Sequence, residues 1–460
     1  MERCQRILFF VFAVIFLIRG SRVHAQVDTL VHLPGAVQQA GERFPLLLAK
    51  KYESDAGIKN VDVIKYSKLP TIDASYQANL STANNLTGQF YPYGILPMTG
   101  PPSISNNYSP ATGSAAAVLL NWQAVTFGQR DAQINLSIAE GGTKTAAWKQ
   151  EAFNQQLNVI SKYLDVLLAH DVVAIRQNNL LRVKENLRQS IELAGSGIKP
   201  GVDSALFLSE LSQAKIDLLN SEKDLQSEQW LLAQFIVTDA LPVPADTLFL
   251  RQLPSVATIT DTATTMHPAL VYAEKQFEFN KSKELLLKKS YLPKLNVWGT
   301  AFARGSGFEA NGSIKALDGL VLSRYNYGAG IQFTFPIMKY GEVKRQLQEQ
   351  TLLSLAAQER INDTKNTLTT QQRIANTTYA NSIAVASELQ QQLKSAQYAF
   401  HAMQIRYNTG LVNYADLIQA QYDLLKAELD IKKAYLDAWK ALLLEAAVRG
   451  DINIFMRQIR

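Results

Sequence analysis

Tyr325-Asn326-Tyr327-Gly328-Ala329-Gly330-Ile331-Gln332-Phe333-Thr334-Phe335 is the stretch on which the fold turns. Tyr325, Tyr327, Ala329, Ile331, Phe333 and Phe335 alternate with small or polar residues, the period of two that arises when successive side chains point to opposite faces of a strand. Three more segments carry the same signal. Ile72, Ala74, Tyr76, Ala78 and Leu80 alternate with Asp73, Ser75, Gln77 and Asn79, and Ala115 to Gln123 places Val118, Leu120 and Trp122 on one face. In Leu295 to Arg304 the alternation is blurred. Strands of about ten residues are long enough to cross a bilayer at a tilt. Tyr76, Trp122, Tyr325, Tyr327, Phe333 and Phe335 are the candidate lipid-facing positions. The same pattern fits a soluble sheet whose Tyr327 and Phe333 face a core. Four strands cannot close around a lumen, and open edges cannot sit in lipid, so a membrane reading requires oligomerisation. Two chains with eight strands or three with twelve both satisfy it.

Moving outward, the loops inside each strand pair, Ser81 to Thr112 and Gly305 to Ser323, are rich in Gly, Asn, Ser and Pro and read as external loops. Beyond the strands lie two proline-free stretches, Gly128 to Gly197 and Gly341 to Gly410. Leu389, Leu393, Ala396, Phe400, Met403 and Tyr407 recur there at helical spacing. A helix of such length is roughly 100 Å long at 1.5 Å per residue, far beyond the ordinary helix of about 11 to 12 residues. Gly141-Gly142 interrupts only the first stretch and is a candidate kink. Return helices are expected at about 204–235 and 415–448, and opening helices at about 34–66 and 263–290. A long rod flanked by two helices of half its length suggests a paired coiled coil.

The chain is therefore duplicated. Phe44-Pro45 and Ser67, Leu69, Pro70 reappear 223 residues later as His267-Pro268 and Ser290, Leu292, Pro293. After the variable loop the offset becomes 213, pairing Phe127-Gly128 with Tyr340-Gly341, Gly197 with Gly410, and Asp203 with Asp416. The expected organisation is a leader over 1–25, a first repeat over 26–236, a linker over 237–262, a second repeat over 263–449 and a tail over 450–460.

The leader pairs Arg3 and Arg6 with an apolar run from Ile7 to Ile18 and a small-residue end at Ala25, the pattern of a secretory signal peptide cleaved after Ala25. That run is too short to span a membrane as a helix, and no later segment is better. An exported chain of this kind is either soluble outside the cytoplasm or embedded as a β-barrel. With 460 residues, 47% of them apolar and 19% charged, the chain is long enough for two domains or more. Its net charge of +6 includes four arginines of the leader, so the remainder is too nearly neutral to argue nucleic-acid binding. Cys4, the single cysteine, lies in the leader, which removes disulfides, thiolate nucleophiles and cysteine metal sites from the mature chain. His32, His170, His267 and His401 show no metal-ligand spacing. Ser212-Gln213-Ala214-Lys215 matches a hydrolase Ser-x-x-Lys without its companion motifs. No enzymatic chemistry and no cofactor is expected.

Taken together, the duplicated strands, the rods, Tyr407-Asn408-Thr409-Gly410, Asp416-Leu417-Ile418-Gln419-Ala420, the Leu-Pro before each first strand, and Gly-x5-Asp at each rod's far end resemble the TolC-like outer-membrane efflux protein family. The resemblance implies an α+β membrane protein: a homotrimer with one 12-stranded transmembrane β-barrel, four strands per chain, joined to a long antiparallel α-helical coiled-coil barrel in the periplasm. Residues 237–262 and the tail would belt its waist. The partners it implies are outer-membrane lipid, a periplasmic adaptor (membrane fusion) protein and an inner-membrane pump of RND or ABC type. The tips would dock the adaptor through Gly197, Pro200, Gly201, Asn408, Thr409 and Gly410. Asp416 matches a lumen-facing carboxylate that favours cations, and Tyr407 and Asp203 match residues that hold the tip closed. This chain departs from the pattern at Val412, where the best-known member has an arginine, and at Gln419, where it has a second aspartate. Both acids also suit a helix's first turn, where a carboxylate adds about 0.3 to 1 kcal/mol. The alternative to a duct is a periplasmic coiled-coil scaffold that transports nothing.

Overall fold

A computed structural model describes residues 29–85, 102–255, 267–309 and 313–459. The leader and its cleavage point, the middle of the first external loop, the end of the linker and the first residues of the second repeat lie outside the described residues. The described chain begins with strand β1 (Thr29–Val31), helices α1 (Leu33–Arg43) and α2 (Pro45–Tyr66), strands β2 (Thr71–Ser81) and β3 (Ala111–Val125), helices α3 (Gln129–Gly195) and α4 (Gly201–Ile236), and strand β4 (Pro242–Pro244). The second repeat supplies α5 (Pro268–Lys289), β5 (Lys294–Ser306), β6 (Arg324–Thr334), α6 (Lys339–Asn408) and α7 (Tyr414–Arg449), followed by the short α8 (Asn453–Met456). Among the described residues no helix is long and apolar enough to cross a membrane.

The duplication is carried into the element boundaries. Helix α5 repeats α2 at an offset of 223 at both ends, and α7 repeats α4 at 213 at both ends. Even the caps repeat: Val237 after α4 and Gly450 after α7 are both left-handed, at φ 55° and 70°. A left-handed backbone costs a β-branched residue roughly 1–2 kcal/mol that glycine avoids. Three details differ from the sequence expectation. The opening helix of the first repeat is two helices, because Pro45 cannot donate a backbone hydrogen bond and forces Phe44 to an extended φ −65°, ψ 119°. The aromatic-Gly pairs entering the rods are not equivalent, since Gly128 turns the chain at φ 88° before α3 whereas Gly341 lies inside α6. Finally, α3 continues through Gly141-Gly142. A Cβ on Gly141 would come within 3.2 Å of the Gly57 carbonyl on α2, so this glycine allows two helix backbones to approach.

The chain divides into two compact units, with boundaries inside the long helices. The unit containing the strands holds one antiparallel sheet in the order β2-β3-β5-β6. Residues directly opposite share a face, so the register sorts every side chain. One face carries Ile72, Ala74 and Tyr76 of β2, Val118, Leu120 and Trp122 of β3, Val297 and Ala301 of β5, and Tyr325, Tyr327, Ile331 and Phe333 of β6. The other face carries Asp73, Ser75, Gln77, Asn121, Asn296, Thr300, Arg304, Asn326 and Gln332. The blur in β5 has a cause: Trp298 lies on the polar face, over Gly330, whose Cβ would stand 2.8 Å from the indole. Hence the Gly-Ala-Gly of β6 leaves room for a tryptophan of its neighbour.

The other unit holds the largest buried cluster, from α1, α3, α4, α7 and the segments 241–252 and 452–459. Trp439, 1% exposed, meets Phe249 at 5.0 Å and Phe455 at 5.7 Å between ring centres, and its indole N–H donates to the Gln252 carbonyl at 2.9 Å. Strand β1 pairs in parallel with β4. Asp246 fastens this corner, accepting from the Leu33 N–H at 2.8 Å, the Tyr163 hydroxyl at 2.6 Å and the His32 Nδ1–H at 2.9 Å. Burial pushes the Asp246 carboxyl up, but those three donors outweigh it and hold the group below its ordinary range. Because the folded value is the lower one, its stabilisation is complete above the unfolded carboxylate pKa of about 3.9 and is lost as pH falls through the folded value. Hydrogen exchange should therefore show the Leu33 amide protected at neutral pH and released only as pH falls below the ordinary carboxylate range. Asp246→Asn should abolish that pH dependence, and retention of it would assign the effect to another group.

Candidate functional site at the helical tips

The two rods end alike. Gly197 and Gly410 take φ 71° and 80°, and beyond them the Ile198 and Leu411 N–H groups each donate to a carbonyl five residues back, Leu193 and Arg406, at 2.9 Å. This is the closing bond of a glycine-terminated helix. Pro200 then precedes α4, while Asn413 caps α7, its side chain accepting from the Asp416 N–H at 2.9 Å. Gly197, Pro200, Gly201, Asn408, Thr409 and Gly410 are all exposed, as are the apolar Ile198, Val202 and Leu411 beside them.

Behind these turns the structure joins two of the residues picked from sequence. The Tyr407 hydroxyl, on the last turn of α6, donates to Asp203 Oδ2 on the first turn of α4 at 3.0 Å, with both side chains buried. Phe207 packs edge-on against Tyr407 at 5.9 Å and against Tyr414 at 4.7 Å. Burial pushes the Tyr407 phenol up to about 12; a Ser190 hydrogen bond opposes the shift and the Asp203 carboxylate adds to it. Tyr414 is likewise raised to about 12 by burial and by the charges of Glu210 and Asp203. Both phenols therefore stay protonated at neutral pH, as Tyr407 must to donate to the Asp203 carboxylate. A second link of this kind runs from the Tyr422 hydroxyl to Glu210 at 2.5 Å.

Asp416 is placed differently. It is exposed, and its Oδ2 accepts from the Asn413 N–H at 3.3 Å, which completes a reciprocal capping box at the start of α7. The position of Val412 is informative too. Lys199, from the other turn, donates to the Val412 carbonyl at 2.5 Å, lies 3.4 Å from that of Gly410, and sits 5.1 Å from the centre of the Tyr407 ring. A cation thus bridges the two turns, contributed by the first turn instead of the second.

Further from the turns, α3 and α7 are joined by polar pairs. Arg182 meets Glu428 through two bonds of 2.8 and 2.6 Å, and the Asn186 amide donates to Gln421 at 2.7 Å, with Gln421 donating to Asn179 at 3.3 Å. Among buried neighbours such pairs fix helix register, since each partner displaced would lose its hydrogen bond in a dry environment. Sequence reasoning missed Lys199, Phe207, Glu210, Tyr422 and this polar series. Replacing Tyr407 with Phe leaves the buried Asp203 carboxylate without its donor and should destabilise the tip by about 1–3 kcal/mol. Hydrogen exchange at Ile198 and Leu411 should accelerate accordingly, and unchanged exchange would remove the bond from the stability of the turns.

Comparison with other proteins places this geometry. Residues 265–444 match the outer membrane efflux protein family. No curated protein matches the chain by sequence. Among solved structures, the CmeC outer-membrane channel of Campylobacter jejuni is similar with a TM-score of 0.72 at 13% identity, covering 91% of this chain and 85% of that one. VceC of Vibrio cholerae gives 0.72 at 13% identity over 91% and 96%, and the open-state MtrE channel of Neisseria gonorrhoeae gives 0.71 at 16% over 93% and 90%. Residues 265–444 are thus similar to the outer membrane efflux protein family, and the fold of the chain as a whole is that of the TolC-like outer-membrane channels.

Proposed function

We propose that the protein is the outer-membrane exit duct of a tripartite efflux or type I secretion system: a passive homotrimeric conduit without catalytic chemistry. An inner-membrane pump supplies the energy, and a periplasmic adaptor joins the pump to the helical tips. The observation that carries this reading is the two-faced sheet. Tyr327 is 92% and Phe333 63% exposed on a face whose apolar rows run through all four strands, while the opposite face, Leu119, Trp298 and Phe302 apart, is polar or small. A barrel strand between lipid and an aqueous lumen has this distribution. Aromatic residues lie toward both ends of the apolar band, with Trp122 and Phe333 at one and Tyr76, Tyr325 and Tyr327 toward the other, as girdles at two membrane interfaces do. Phe335 follows the last paired residue of β6 and belongs to the first of these groups.

In this reading the Tyr407–Asp203 bond and the Lys199 bridge hold the tip closed. Asp416 shapes the constriction through its charge and the start of α7 through its cap. The exposed turns, with Ile198, Val202 and Leu411, dock the adaptor. In the same reading the chain is organised as a leader removed near Ala25, repeats over 26–236 and 263–449, a waist linker over 237–262 and a tail from 450.

A charge at the bilayer midplane on the lipid side of a barrel costs about 2–4 kcal/mol. Ala329→Arg, on the apolar face between the two aromatic groups, should therefore deplete the protein from outer membranes, whereas Gln332→Arg, on the polar face of the same strand, should assemble normally. Equal assembly of both variants would contradict a lipid-facing sheet and favour the scaffold.

A further inference from the structure

At the loop-bearing end of the sheet, the polar face has a row whose chemistry differs from the rest. Gln77, Ala115, Arg304 and Arg324 are successive cross-strand partners on β2, β3, β5 and β6, so two arginines stand directly opposite each other. Opposed residues in antiparallel strands have Cβ atoms about 5 Å apart, and like charges there repel. Both side chains are exposed, and among the described residues neither forms an ion pair. Phe302, two residues before Arg304 on the same face, lies under its guanidinium at 5.3 Å. That contact holds the charge over the sheet without neutralising it. The small side chain of Ala115 beside Arg304 and the amides of Gln77 and Asn79 leave an open, donor-rich cavity of about 1200 Å³.

Glu309 and Asp318 line the same cavity, and with Lys315 offsetting one of them the arginine pair keeps a net positive charge there. Glu309 on the loop is bonded to Lys315 at 2.5 Å, and the same lysine is held charged first by Glu309 and then by Asp318. Asp73, the one acid on the sheet's polar face, lies four residues along β2 from Gln77. One level of the polar face thus combines two guanidinium groups and amide donors, the set that recognises carboxylate and phosphate.

We propose that Arg304 and Arg324 form a cationic collar at the outer mouth that draws anionic cargo, carrying carboxylate or phosphate groups, out of the duct. The collar rests on the duct reading, in which the polar face lines the lumen and three copies place six arginines at one level. Its position at the exit matters. Six guanidinium groups at one level would make the potential at the mouth positive, which favours an anion leaving the lumen.

The test uses the full-length trimer in planar bilayers with a potassium chloride gradient, chloride serving as the probe. With dilute salt at the loop end, where screening reaches about 30 Å at 0.01 M, replacing both arginines by Gln should lower the chloride-to-potassium permeability ratio about two-fold or more. With the gradient reversed, the two proteins should differ little. Arg304→Lys with Arg324→Lys, which keeps the charge, should behave as wild type and shows that any loss is not one of folding. A conducting trimer whose Gln variant has the wild-type ratio in both orientations would overturn the collar alone. Absence of any conducting pore would overturn the duct reading, and the collar with it.

Discussion

An apolar sheet face that the chain itself leaves exposed is the constraint on which the rest of the structure depends. In water, rows running from Ile72 and Tyr76 through Val118 and Leu120 to Tyr327 and Phe333 would form a patch far larger than a soluble monomer exposes. In lipid the same face is at rest, but the free backbone groups of β2 and β6, the outer strands of the sheet, are not. Pairing those strands with strands of further copies satisfies both demands. The polar face then acquires an interior to line, and its Gln, Asn, Ser and Arg residues acquire a reason.

In the proposed duct the helices answer a different requirement, namely that they stay in register while their ends remain able to part. The polar pairs between α3 and α7, led by Arg182–Glu428 and Asn186–Gln421, are numerous and directional, which suits register. At the turns the links are fewer and of another type: a tyrosine hydroxyl on a buried carboxylate and one lysine reaching two carbonyls. Bonds of this size, about 0.5–1.5 kcal/mol net and up to about 3 kcal/mol when a charged group takes part, can be broken by the binding energy of a partner. The Trp439, Phe249 and Phe455 cluster is the opposite case, a dry aromatic core with no titratable member, and it anchors the segments at both ends of the duplicated sequence.

Much of this was legible in the sequence because both periodicities are long and the chain states them twice. The stripe from Leu393 to Tyr407 packs as its spacing implies, and four strands lie where alternation placed them. What could not be read depended on partners remote in the chain. The alternation of β5 is obscured by Trp298, whose place on the polar face is made by glycines of β6. Gly141 resembles a kink until Gly57 is set against it. Lys199 acts on carbonyls more than 210 residues away, and Asp246 caps a helix that begins 213 residues earlier. Backbone carbonyls and N–H groups carry no sequence signature, so a side chain that binds them looks ordinary until the fold is known. Asp203 and Asp416, equivalent by repeat, also separate only in the structure, one buried under a tyrosine and the other closing an exposed cap.

The central claim, that the sheet belongs in a membrane and is completed by other copies, is tested most directly by the native mass of the protein extracted with detergent from isolated outer membranes. The account predicts a membrane-derived trimer of the mature chain. A monomer recovered from the soluble fraction would contradict it.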